Sequence, residues 1–197
     1  MTSSTLFSET NWRADQTLFV SAPNSYHVPS YASQGNVFLA FATGLEMNRT
    51  KPYVYLKFDH ICKMFNNDRS QITYCTSTGT QTQYGVVTVT YTNWKFMSFS
   101  QNSPNYHGGA STITDGNFSQ NCYTDWVPSS NTAVPQNTWW KTELIDITEY
   151  VDADTNDYFK LRFYTNHTSG SGSGSEVCAG WYLDNVQVIY SNVELVP

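Results

Sequence analysis

Three stretches decide the fold: NTWWKTELIDITEY (137–150), DYFKLRFYTN (157–166) and AGWYLDNVQVIY (179–190). In the middle stretch Phe159, Leu161 and Phe163 fall on one side of an extended chain, and Lys160, Arg162 and Tyr164 on the other. That period of two is the signature of a half-buried β-strand. The last stretch is more apolar, and Asp184 shares its parity with Val186 and Val188. Without a bulge this carboxylate points inward, where burial demands hydrogen-bond donors or a cation.

Further strands are expected at Asn36–Thr43, Tyr53–Asp59, Gln71–Cys75 and Gly85–Thr92, with Trp94–Phe99 continuing after a bend. The segment TSTGTQTQ (76–83) reads as a turn-rich loop between two of them. Residues 1–30, with Pro23 and Pro29, read as an irregular wrap around the domain edge, and residues 101–138 as a long irregular region. SGSGSGS (169–175) reads as a solvent loop. Regularly spaced short strands with no helical period predict one antiparallel two-sheet β-sandwich over residues 1–197.

Composition narrows the function. Only 13% of the 197 residues are charged while 16% are aromatic, as in extracellular β-sandwiches. A net charge of −6 argues against nucleic acid as a partner. No apolar run approaches the ~18 residues of a membrane-spanning helix. The segment MTSSTLFSETNW (1–12) lacks the charged and apolar regions of a signal peptide, so a secreted form implies a mature chain or one module of a longer protein.

No enzyme constellation emerges. His27, His60, His107 and His167 are scattered, and there is no HExxH or GxSxG motif. Asp146, Glu149, Asp152, Asp154 and Asp157 read as a solvated acidic loop or as a loose cation site without the EF-hand pattern. Asp184, with Glu9 or Asp15 from the N-terminal segment, forms a candidate calcium site; the alternative is an Asp184 that caps backbone amides. Trp94, Tyr106, Tyr123 and Trp126, in or beside the irregular region, form a candidate platform for stacking on sugars, with core packing as the alternative. Cys62 and Cys75 flank an expected hairpin and pair as one disulfide, leaving Cys122 with Cys178; four free buried thiols are the other reading. Asn48, Asn117 and Asn166 begin glycosylation sequons that matter only in a eukaryotic secretory pathway.

The segments YLKFDHICKM (55–64), YHGGASTITDGNFSQNCYTDW (106–126), NTWWKTELIDITEYV (137–151), FKLRFYT (159–165) and AGWYLDNVQV (179–188) follow one another in an order that resembles a family. It is the jelly-roll domains related to the MAM and immune-inhibitor-A-associated type, found in secreted surface proteins of Bacteroidota, including gliding-motility adhesins that use type IX secretion. The resemblance covers roughly residues 52–190 and rests most on the WWKTE and GWYLDNV segments. It implies a galactose-binding-like jelly roll without catalysis, and a structural calcium at positions matching Glu9 and Asp184. The combined expectation is an extracellular or cell-surface adhesion or structural module with flanking domains, its ligand a glycan or a surface protein. The alternative is a carbohydrate-binding accessory module of a secreted hydrolase or peptidase.

Overall fold

A computed structural model describes residues 7–9, 12–29, 36–41, 44–48, 50–65, 67–127, 133–151, 157–166 and 178–195. The strands are β1 (Phe7–Glu9), β2 (Arg13–Asp15), β3 (Ser25–Val28), β4 (Asn36–Phe41), β5 (Leu45–Glu46), β6 (Tyr53–Lys63), β7 (Arg69–Gln83), β8 (Val86–Tyr91), β9 (Lys95–Phe96), β10 (Lys141–Asp146), β11 (Tyr158–Asn166) and β12 (Gly180–Ser191). A single helical turn, α1 (Thr148–Val151), follows β10. One sheet runs β1-β4-β11-β7-β8, with β5 and β9 attached at its sides; the other runs β10-β6-β12-β3-β2. All pairings are antiparallel. The main strands β3, β4, β6, β7, β10, β11 and β12 alternate between the sheets in chain order, which makes the sandwich a jelly roll.

The alternation read from β11 holds. Phe159, Leu161 and Phe163 are buried, while Lys160 and Arg162 lie half-exposed on the outer face. From the facing sheet Phe58 meets Phe163 at 5.1 Å and Trp181 meets it at 5.6 Å, both edge-on. Phe118, from the irregular region, closes the cluster against Phe58 at 6.0 Å. Each such ring pair adds about 0.5–1.5 kcal/mol beyond its buried area.

Three expectations need correction. TSTGTQTQ is not a loop, because β7 runs unbroken through it and pairs with β8 as far as Gln83↔Val86. The turn is Tyr84–Gly85, both with positive φ (54° and 79°) as a tight two-residue hairpin requires. Alternating Thr and Gln carry the strand with almost no apolar signal. Nor are residues 1–30 irregular throughout, since they contribute β2 and β3 to one sheet and β1 to the other. The third concerns Asp184. A bulge between Asp184 and Gln187, with Asn185 at φ 48°, switches the parity of β12. Trp181 and Leu183 face the core before it, so Asp184, paired with Asp59, faces the outer side. The SGSGSGS run, Asp152 and Asp154 lie outside the described residues.

Candidate functional site

On the outer face of the larger sheet β11 presents Lys160, Arg162, Tyr164 and Asn166, opposite Cys75, Thr73, Gln71 and Arg69 of β7. After a bend the chain leaving β8 continues alongside β7 as β9, and Tyr91 and Trp94 lay their rings on the cations. Lys160 Nζ lies 4.4 Å from the Tyr91 ring centre and Arg162 Cζ 4.3 Å from that of Trp94. The Arg162 guanidinium is further framed by Phe38 and Tyr164 and donates through Nε to Thr73 Oγ1 at 2.7 Å. Burial lowers the Arg162 pKa from its ordinary value.

The strip continues through Phe96, which meets Tyr164 edge-on at 5.3 Å and carries Arg69 5.5 Å from its ring centre. Phe96 is 40% exposed and stands at the mouth of a groove of about 500 Å³ lined also by Asn67, Gln71, Ser98, Thr114, Asp115 and Asn117. A second hollow of about 260 Å³ shares Thr114 and Asn117 and adds Thr112, Ser119 and Asn121. The walls are held by their own hydrogen bonds. Gln71 Nε2 donates to the Asp115 carbonyl at 2.6 Å, Ser98 Oγ to Asp115 Oδ1 at 3.0 Å, and Asn117 Oδ1 accepts from Ser70 N at 2.7 Å. The Asp115–Gly116 turn makes this possible with φ of 52° and 66°. A Cβ at Gly116 would lie 2.4 Å from the Met97 carbonyl oxygen, so only glycine fits.

The four residues expected to form a sugar platform do not come together at the surface. Trp94 lies on the outer strip. Trp126 is buried, its Nε1 donating to the Trp139 carbonyl at 2.8 Å. Tyr106 and Tyr123 converge instead on Glu143, whose residue is 0% exposed. Tyr106 Oη donates to Glu143 Oε2 at 2.5 Å, Tyr123 Oη to Oε1 at 2.7 Å, and His60 Nε2 lies 2.8 Å from Oε1. Trp181 Nε1 donates to His60 Nδ1 at 3.1 Å, which leaves the imidazole proton on Nε2, facing the carboxylate. Burial and then the neighbouring carboxylate push both tyrosine hydroxyls well above the ordinary phenol range, so they remain donors. Gly108 covers the knot, and a Cβ there would lie 1.7 Å from Glu143 Oε2. Glu143 was not among the expected site residues, although it shares the parity of Ile145 and Ile147 and so carries the mark of an inward carboxylate.

Asp184 is saturated by donors. Oδ2 accepts from Val20 N at 2.7 Å and Ser21 N at 2.8 Å; Oδ1 accepts from Ser21 Oγ at 2.9 Å and Asn185 N at 2.7 Å. Amide dipoles aimed at both oxygens present their positive ends where a calcium ion would have to sit, so this donor set does not fit one. Glu9 lies on β1 of the other sheet, and Asp15 Oδ1 is taken up by Thr17 and Leu18. Among the described residues no group of three or more His, Cys, Asp or Glu is placed to hold a metal.

The expected disulfides do not form: Cys62, Cys75, Cys122 and Cys178 are buried as thiols. β6 and β7 are not hairpin partners but belong to different sheets, which separates Cys62 from Cys75. Cys62 has Cys122 and Cys178 as its thiol neighbours, while Cys75 lies beneath Lys160 and Arg162. Cys122 Sγ donates to the Thr112 carbonyl at 3.0 Å. Burial raises the Cys62 thiol pKa well above its usual value and pushes that of Cys122 up to about 11.

Sheets, strand order and site together define the class: an antiparallel two-sheet β-sandwich of jelly-roll type. No family model matches the chain, and no curated protein matches it. Among solved structures it is similar to the CBM22-2 xylan-binding domain of Xyn10C from Paenibacillus barcinonensis. That match has 8% identity and a TM-score of 0.41 over 94% of this chain and 92% of that domain. The likeness is loose, and the fold assignment rests on the sheets themselves. No helix among the described residues is long and apolar enough to cross a membrane.

Proposed function

We propose that this chain is a non-catalytic, extracellular or cell-surface adhesion module that binds a glycan in the groove beside Phe96. The observation that carries the reading is one exposed ring at the mouth of a groove walled by amides and hydroxyls. A sugar offers an apolar face for the ring and hydroxyls for Gln71, Ser98, Asp115 and Asn117. Arg69, over Phe96, adds a donor at the same edge. Hydrogen bonds within the walls hold them in place before binding, which lowers the ordering cost.

Glu143 and His60, a buried acid–base pair, are both 0% exposed and enclosed by aromatic rings. A general base must reach the proton that it takes, and no substrate reaches this one. Their role is to hold the irregular region against β6 and β10. Asp184, in the same reading, is an amide cap that fastens residues 20–21 to β12 in place of an ion.

A glycan array probed with the parent and with Phe96→Ala tests the proposal. Specific hits lost in the variant support it, whereas an array without hits, or hits that the variant retains, overturns it.

A further inference from the structure

Beyond Thr76, where β11 stops pairing, the ends of β7 and β8 continue as a two-stranded arm exposed on both faces. Tyr84 at its tip is 96% exposed, and Val86 and Val87 are 64% and 52% exposed. An isolated hairpin is marginal in water, so an arm of this kind gains from further pairing. Residues 76–91 contain no Asp, Glu, Lys, Arg or Pro, the residues by which natural edge strands block addition of another strand. Among the described residues β8 is the end of its sheet.

The register shows which groups are open. Gln83↔Val86 flanks the two-residue turn and exchanges hydrogen bonds, as Gln81↔Thr88 does two positions further on. The N–H and C=O groups of Val87 and Val89 therefore point away from β7, toward the free edge.

We propose that this edge pairs with the same edge of a second copy of the chain, β8 against β8, antiparallel about a two-fold axis at Thr88. Val87 of one copy then exchanges hydrogen bonds with Val89 of the other, and Thr88 faces Thr88. The sequence Val87-Thr88-Val89 is chemically symmetric about that axis, as a two-fold contact requires. Charge favours a second copy as occupant. The chain as a whole carries −6, which opposes close approach of copies elsewhere, while the arm is neutral. A charged partner strand would find no opposite charge on it. Contact limited to one strand pair buries less than the ~1,200 Å² of a stable complex, so the association is weak, on the order of 100 µM.

Sedimentation velocity over a range from about 10 µM to about 1 mM, bracketing that affinity, reads the association directly. The average mass should rise from 22.3 kDa toward twice that value. Val87→Lys with Val89→Lys should hold it at the monomer value with an unchanged melting temperature. Thr88→Cys provides a positional check, because directly opposed, non-hydrogen-bonded residues come close enough for a disulfide. Diamide should cross-link Thr88→Cys into dimers and leave Gln81→Cys, one strand further from the proposed two-fold axis, monomeric; the native thiols are buried and do not compete. A parent that stays monomeric throughout, a dimer that survives both lysines, or equal cross-linking of the two cysteine variants would overturn the proposal.

Discussion

Replacing Glu143 by leucine tests whether the buried knot holds the irregular region in place. The substitution keeps the side chain's bulk and removes the acceptor of three donors: Tyr106 Oη at 2.5 Å, Tyr123 Oη at 2.7 Å and His60 Nε2 at 2.8 Å. A buried donor left without a partner costs about 1–3 kcal/mol. Three such donors cost about 3–9 kcal/mol and the apolar replacement offsets part of this, so a net loss of about 2–6 kcal/mol follows. For a chain of this size, where each kcal/mol moves the midpoint about 2–4 °C, melting falls by about 4–24 °C.

Urea unfolding followed by tryptophan fluorescence measures the loss, since Trp126 and Trp181 both pack against His60. Tyr106→Phe is the milder companion. It loses one bond to the carboxylate and leaves Ala110 N, 3.1 Å from the missing oxygen, unpaired, a loss of about 2 kcal/mol. The sharper test is coupling. In a Glu143→Leu background the carboxylate is gone, so adding Tyr106→Phe and Tyr123→Phe should cost clearly less than the sum of their losses in the parent, what remains being the Ala110 and Gly109 amides that they unpair. A Glu143→Leu protein within about 0.5 kcal/mol of the parent, or fully additive effects, would refute the network reading.

Two further outcomes follow from the same contacts. Thiol titration without reductant should find four reactive groups in denaturant and almost none in the native state; fewer than four in denaturant would mean that a disulfide exists. Melting temperatures in millimolar calcium and in EDTA should coincide, because Asp184 is saturated by Val20, Ser21 and Asn185. An ion at 100 times its dissociation constant would add about 2.7 kcal/mol, so a shift of several degrees would restore calcium to Asp184.

Where side chains alternate strongly, the sequence was legible. Phe159, Leu161 and Phe163 announced β11, and Val54, Leu56 and Phe58 announced β6, because one buried face per strand leaves a period of two. The arm was hidden for the opposite reason. With both of its faces exposed, β7 beyond Ser77 needs no apolar set, and Thr and Gln in alternation look like a loop. Asp184 was misaimed by a bulge whose only local mark is the positive φ of Asn185, a residue type that tolerates it.

The candidate site was less legible because its residues are distant in sequence. Ser70 and Asn117, or Gln71 and Asp115, meet only through the path of the irregular region across one end of the sandwich. Tyr106, Tyr123 and Trp126 carry the composition of a sugar platform but share a buried neighbourhood. Glu143, which nothing had singled out, organises the two tyrosines.

The most direct test of the binding proposal is a calorimetric titration of the strongest array ligand into the parent, Phe96→Ala and Arg69→Ala. Phe96→Ala should weaken affinity about tenfold or more, equivalent to about 1.4 kcal/mol, with a smaller loss for Arg69→Ala and unchanged melting of both variants. Equal affinity for all three proteins would contradict the assignment of this groove as the glycan site.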